Sequence, residues 1–435
     1  SKTDQVQSLT RIFYLNDQNS QANAQNNNNV TDNTNHRLNL RADVSIDSMS
    51  SLLISPRLTW QQNDKNSLSN SVTENLPSSI LNQTIGSTNS SNKAFNLSSD
   101  ILYRLRFATE GRTLSANLTN TLRDNDGATN SESDNTIFGV DTFDINIRQN
   151  TPTKGTTKSL GANFTYTEPI ATNHQLQLNY NYNNSATTSE RSTFNVDQPT
   201  IPIAALSNSS GSDYVTHRMG GSYRFSIISE PDSGKPKVDP MMMMMGGDRG
   251  MGRGMMGMMG GAIGTWTFAL GADYQIANLD VRQTFASSES RTSLRLPDIL
   301  PNISMVARPS ASSNIRVNYR TSTNAPGIQQ LQEVIDNSDP LRLYKGNASL
   351  RQEYTHSLFA NYGNFNFITA SGMFAMVNVN ITNDKIVNST LTSGAGPFAG
   401  DSIPRGSQFT TSVNRNGYLN ANSFLVYSFP FEPIR

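Results

Sequence analysis

The chain has no cysteine. That excludes a disulfide framework, cysteine-ligated zinc and a thiol nucleophile. Charge is scarce as well: only 16% of the 435 residues are Asp, Glu, Lys or Arg, and the 34 cations balance the 34 anions. A basic surface matched to nucleic acid is therefore not expected. There are four histidines, His36, His174, His217 and His356, with no HExxH and no second histidine at ligand spacing. No Gly-x-Ser-x-Gly elbow or phosphate-binding loop occurs, so the sequence predicts no enzyme and no cofactor. No run of about 18 apolar residues is present to cross a bilayer as a helix. The opening residues Ser1-Lys2-Thr3-Asp4 are polar rather than a secretory leader.

What the chain has instead is alternation. Leu38, Leu40, Ala42, Val44 and Ile46 interleave with Arg37, Asn39, Arg41, Asp43 and Ser45. After a tight Asp47–Ser50 turn, Leu52, Ile54, Pro56, Leu58 and Trp60 alternate with Ser55, Arg57, Thr59 and Gln61. A period of two marks strands with one apolar and one polar face. A soluble sandwich buries its apolar face. A transmembrane barrel turns that face to lipid and alternates short with long connections. The connections here do alternate in length, which predicts an all-β, antiparallel transmembrane β-barrel. Mean hydropathy of −0.49 fits, with Asn, Ser and Thr supplying the polarity.

About thirteen strands are predicted, at 36–46, 51–61, 95–107, 112–123, 158–168, 174–184, 214–228, 265–281, 300–308, 314–321, 356–363, 372–382 and 416–429. Short connections fall at 47–50, 108–111, 169–173, 309–313 and 364–371. Long ones fall at 62–94, 124–157, 185–213, 282–299, 322–355 and 383–415. Pro56 lacks an N–H, so a bulge or an unpaired position is expected there. Aromatics near strand ends (Trp60, Phe107, Tyr166, Tyr182, Trp266, Tyr319, Phe429) match interfacial girdles. Residues 1–35 resemble the tail of an outer loop. With an odd strand count, the expectation is a partial barrel domain spanning 1–435, cut at both ends, from a larger barrel of about 22 strands.

Two constellations stand out. The segment 229–264 holds ten of the fifteen methionines, interspersed with glycine, where the rhythm predicts a short turn. Thioethers suit Cu(I) and adaptable contacts, while glycine-rich low complexity suits a flexible insertion. The second constellation is basic: Arg37, Arg41, Arg57, Arg104, Arg106, Arg218, Arg224, Arg316 and Arg320 fall at polar-face positions, against Asp43, Asp100 and Asp273. They are candidates for contact with a plug or a solute in the lumen.

The stretch from Ile315 to Leu358 carries a resemblance to a family. Arg320, Ala325-Pro326, Leu331 and the run Gly346-Asn347-Ala348-Ser349-Leu350-Arg351-Gln352-Glu353 resemble a loop of TonB-dependent receptor barrels. Ala348 stands where that family has proline. Residues 36–60, 166–183 and 216–225 are similar to the Bacteroidetes-type outer-membrane β-barrel branch of the group. The resemblance implies a Gram-negative outer-membrane location, uptake of a bulky nutrient, a plug domain and energy from TonB. It also implies short turns in the periplasm and long loops outside. The plug and the TonB box are expected to lie outside this chain. The implied partners are outer-membrane lipid, the plug of the same polypeptide, TonB and an unidentified nutrient. Two other readings remain open: a structural or surface-interaction barrel without transport, and a soluble secreted β-rich adhesin.

Overall fold

The computed structural model describes residues 1–16, 19–76, 79–138, 142–228, 264–285, 288–310, 312–331, 335–336, 342–366, 369–392 and 408–431. The Met/Gly-rich segment, residues 229–263, lies outside the described residues, and so does any reading of it. Among the described residues no helix is long and apolar enough to cross a membrane; a β-barrel crosses with strands.

The main sheet holds 17 strands. In chain order they are β1 (Lys2–Asn16), β2 (Asn19–Asn39), β3 (Ala42–Ser45), β4 (Ser50–Leu76), β5 (Ser79–Arg106), β6 (Thr113–Ile137), β7 (Phe143–Ala171) and β8 (His174–Arg191). Two short strands follow, β9 (Phe194–Asn195) and β10 (Gln198–Pro202). Then come β11 (Asn208–Ile228), β12 (Thr265–Phe285), β13 (Ser288–Ser310) and β14 (Ser313–Asn324). Two short strands, β15 (Ile335–Asp336) and β16 (Arg342–Lys345), precede β17 (Glu353–Asn366) and β18 (Ser371–Asn383). The last three are β19 (Lys385–Thr392), β20 (Gln408–Arg415) and β21 (Tyr418–Ser428). Every pairing in the main sheet is antiparallel, and each long strand pairs with its neighbours in sequence. β15, β16, β19 and β20 form a separate four-stranded sheet.

The register carries the alternation from strand to strand. Leu58 faces Leu97, Ile54 faces Ile101, and Ile101 faces Leu118. Tyr166 faces Leu178, Tyr180 faces Met219, Tyr223 faces Leu270, and Leu270 faces Ile303. Partners directly opposite project to the same side of a sheet, so these side chains build one continuous apolar face. Leu58, Leu97, Leu118, Leu178, Met219, Tyr223, Leu270 and Ile303 are all exposed on it. In water such a face would have to be covered. In a bilayer it is the lipid-contacting wall.

Three sequence expectations change. Joining β2 with β3 and setting β9 and β10 aside, the sheet has fourteen long strands rather than thirteen. The additional one is β1, paired from Lys2↔Asp32 to Asn16↔Asn19, so residues 1–35 are not a loop tail. The stretches 62–94, 124–157 and 282–299 are not loops either, the last being paired up to Phe285↔Ser288. β4 and β5 stay paired from Ser50↔Leu105 to Asn75↔Ser79, and β6 and β7 from Thr113↔Thr167 to Ile137↔Phe143. The 27 residues of β4 extend about 90 Å at about 3.3 Å per residue, far past the 9–11 residues a bilayer needs. Beyond the lipid no face must be apolar. Alternation therefore stops while the backbone ladder continues.

The short connections stand where expected. Asp47 Oδ1 accepts the N–H groups of Met49 (2.7 Å) and Ser50 (2.6 Å), closing the first turn. Gly111 closes the next with φ +84°, a value that favours glycine. Pro56 produces an unpaired position in its neighbour rather than a bulge. β2 ends at Asn39 opposite Arg57, and β3 resumes at Ala42 opposite Ile54. Leu40 and Arg41 form the break, and Leu40 N donates to Pro56 O at 3.0 Å. The weakly alternating 300–308 belongs to the 23-residue β13. Its prolines sit where the ladder allows them: Pro297 and Pro301 precede the first pair with β14 (Asn302↔Arg320), and Pro309 lies in the register shift after Ala307.

Candidate functional site

The face opposite the apolar wall is the candidate site. By register all nine singled-out arginines fall on it. Arg57 faces Asn39 and Ser98, Arg104 faces Ser51 and Ser115, and Arg106 faces Thr113. Arg37 and Arg41 hold matching positions at the lower end of β2 and in the break after it. Arg218 faces Gln275, Arg224 faces Ala269, Arg316 faces Val306, and Arg320 faces Asn302. The sheet thus gathers five of them on β2–β5 and four on β11–β14, as two separate groups.

Of the three expected acids, two are paired. Arg41 meets Asp43 at 3.5 Å in an exposed contact, of the kind that contributes little. Asp273 is different. Only 7% of its side chain is exposed, and Arg218 donates to its Oδ2 through both Nε (2.7 Å) and Nη2. Asn179 donates to Oδ1 at 3.0 Å. The carboxylate lies over the backbone of Gly220, where an added Cβ would sit 1.6 Å from Oδ1. Asn179 and Gly220 were not singled out in the sequence; only the register brings them to Asp273.

The other seven arginines, in both groups, have no such partner: Arg57, Arg104 and Arg106 make no ion pair among the described residues, nor do Arg37, Arg224, Arg316 and Arg320. Asn96 Oδ1, Asp100 Oδ1 and Asn117 Oδ1 of β5 and β6 are buried on the same face without a hydrogen-bond partner among those residues. Buried oxygens ordinarily have a donor. Between β13 and β18 this face holds a concavity of about 660 Å³, lined by Asn302, Ser304, Asn318, Arg320, Ser357 and Phe359 among others.

Two connections at the long-hairpin end fold onto this face. One runs from Ala325 to Gln352 and includes a helical turn, Ile328–Leu331; the other contains β19 and β20. They share the second sheet, where β16 and β20 pair in parallel. Leu331, Leu350 and Ile386 pack with Leu279 and Val281 of β12, and Tyr214, Leu294, Ala325 and Ile328 surround them. Glu353 ties the parts together: its Oε1 accepts Lys385 Nζ and Ile386 N, both at 2.9 Å, and its Oε2 accepts Asn324 Nδ2 at 3.3 Å. Asn347 N donates to Gln330 O (2.6 Å), and its side chain donates to Ser412 O (3.2 Å). The run 346–353 thus supplies the anchors of this inward fold. A sequence signal for it exists in β12. Apolar residues occupy even positions from Trp266 to Ile276, then switch to odd ones at Ala277, Leu279 and Val281. The switch moves apolar side chains to the polar face, where they need something to cover them.

Among the described residues no group of three or more His, Cys, Asp or Glu side chains could hold a metal ion.

Residues 257–435 match the model of the outer membrane protein beta-barrel family. No curated protein matches the chain significantly. Similar solved structures include a double mutant of the Serratia marcescens hemophore receptor HasR in complex with its hemophore HasA and heme. Identity there is 12%, over 98% of this chain and 60% of that one, at TM-score 0.45. Another is the alcaligin outer-membrane receptor FauA of Bordetella pertussis, with 9% identity, coverage of 95% and 58%, and TM-score 0.40. A third is BauA, the ferric preacinetobactin receptor of Acinetobacter baumannii, with 8% identity, coverage of 100% and 61%, and TM-score 0.39. The chain spans about three-fifths of the length of these receptors.

Proposed function

We propose that this chain, an outer-membrane β-barrel, forms the wall of a receptor that imports a bulky nutrient in the TonB-dependent manner. In this reading the arginine-bearing face surrounds a plug domain of the same polypeptide. The long hairpins face outward, and the tight turns at 47–50, 108–111 and 172–173 face the periplasm. One observation carries the proposal: among the described residues, Arg57, Arg104 and Arg106 make no ion pair, and the neighbouring oxygens of Asn96, Asp100 and Asn117 have no hydrogen-bond partner. A polar body seated against β4–β6 would supply both acceptors and donors, as a folded plug does and free solute in passing does not. The inward-folded sheet anchored by Glu353 would then form the floor of the ligand vestibule, above the plug.

The test is uptake. A strain lacking the gene should lose growth on one nutrient class from a panel of glycans, peptides and metal chelates, and the whole gene should restore it. A protonophore should abolish uptake through the restored protein. Uptake that persists without the proton gradient would make the protein a passive pore and overturn the proposal.

A further inference from the structure

All four histidines lie on the apolar wall, and each is held by an aromatic partner. His217 Nδ1 is 2.9 Å from the hydroxyl of Tyr180, and its ring packs on Tyr182 with centroids 5.2 Å apart. His356 repeats the arrangement: Nδ1 lies 2.8 Å from the hydroxyl of Tyr319, and the ring lies 5.0 Å from that of Tyr354. His174 Nδ1 is hydrogen-bonded to the Tyr223 hydroxyl, and its ring stacks on Tyr223 and Phe225. His36 stacks on Trp60 at 5.6 Å and 27°.

Their heights are not arbitrary. His174 is opposite Phe225, and Tyr182 is opposite His217, on the same strand pair. Eight residues separate the two levels, about 26 Å along the strand at about 3.3 Å per residue. With a strand tilt of about 40° this is about 20 Å of height, close to the apolar band of a membrane barrel. His174 is the first residue of β8, at the tight-turn boundary of the band. His36, His217 and His356 stand about ten residues from the tight-turn end of their strands, at the opposite boundary.

The hydrogen bond decides what each ring offers. A tyrosine hydroxyl that donates to Nδ1 leaves the proton of the neutral imidazole on Nε2. Nε2 of His174, His217 and His356 makes no hydrogen bond among the described residues. With the hydroxyl as the donor, each ring would present an oriented Nε2–H on the lipid-facing surface, at the boundary of the apolar band. The acceptor abundant at that depth is the lipid phosphate.

We propose that the histidine–tyrosine groups at 174/223, 180/217 and 319/356, with His36 on Trp60 as a fourth, are contact sites for lipid phosphate. Tyrosine positions the ring and Nε2–H donates to a phosphate oxygen. The sites lie at both boundaries of the band, one at the tight-turn side and three at the other, so the inference does not depend on which end faces outward or on whether the barrel transports anything.

The experiment uses the whole protein labelled with 15N-histidine in bilayers, with 15N–31P dipolar dephasing as the readout. In phosphatidylcholine bilayers more than half of the Nε2 intensity should be dephased by lipid phosphorus, through N···O contacts of about 2.7–3.2 Å, while Nδ1 is not. In digalactosyl diacylglycerol, which has no phosphorus, no dephasing should occur. The pair His217→Phe and His356→Phe should remove about half of the dephased signal. Tyr180→Phe with Tyr319→Phe, which retains the imidazoles, should reduce it by a similar amount. Heat-modifiable migration checks that each variant is folded. Undephased Nε2 in phosphatidylcholine, or equal dephasing of both ring nitrogens, overturns the proposal.

Discussion

Asp273 shows how a single position can depend on a residue without a side chain. Gly220 leaves room for the carboxylate, and Arg218 and Asn179 close over it. Gly220→Ala must push Asp273 from that place, an overpacking that costs about 1–3 kcal/mol. Urea unfolding in lipid vesicles should report the loss, with a smaller effect from Gly221→Ala, whose Cβ would meet only the end of the Leu178 side chain, at a tight 3.3 Å that a small shift of that side chain relieves. Asp47 gives a prediction in pH. The N–H groups of Met49 and Ser50 hold its carboxylate below the ordinary aspartate range. A group with a depressed folded-state pKa contributes above its unfolded value and loses that contribution as pH falls through the folded one. Amide-exchange protection of Met49 and Ser50 should therefore be constant from neutral pH down to the ordinary aspartate range and fall below it. Asp47→Ala should remove the pH dependence.

Among elements, the inward-folded connections and the paired hairpins behave as separate units. Leu350 is 3% exposed in the apolar cluster between the wall and the connections. Leu350→Ala should cost about 2–5 kcal/mol locally. Hydrogen exchange should show 342–352 and 385–392 losing protection while β4–β8 keep theirs. The opposite holds for the tip of the β4–β5 hairpin. Deleting 66–89, joined by a two-residue turn, should leave heat-modifiable folding intact, because the apolar rows Leu52–Trp60 and Phe95–Tyr103 are retained. These elements also mark where the sequence is legible. Lipid imposes a period of two, so the membrane part of nearly every strand could be placed within a few residues. β1 and the hairpin extensions are held by backbone pairing between Asn-, Ser- and Thr-rich strands, and no face there requires a pattern. The arginines could be assigned to a face, because parity alone does that. Their division into paired and unpaired groups could not, since it depends on which strands become neighbours. The histidines looked scattered for the same reason: Tyr180 and His217 are 37 residues apart in sequence and adjacent only in the sheet.

For the whole molecule, the orientation proposed above is directly testable, and the lack of cysteine makes the test clean. Residues 1–435 contain no native thiol, so an introduced one has no competitor within the wall. Ser79→Cys, at the exposed tip of the β4–β5 hairpin, should react with a membrane-impermeant maleimide on intact cells. Ser48→Cys, in the first tight turn, should react only after the outer membrane is permeabilised. The reverse pattern would invert the barrel.

The continuous ladder from β2 to β8 also governs how a solute arrives. Each pair of strands in it stays hydrogen-bonded well above the lipid, from Asn39↔Arg57 up to Ser20↔Leu76 in the first case. Parting two strands sideways would break a whole row of bonds at once. Among the described residues of that flank, the paired strands leave no side window. Under the proposed function, a cargo would come in from the top and travel the height of the wall before it met the vestibule floor. Selection by girth would then begin tens of ångströms before selection by chemistry.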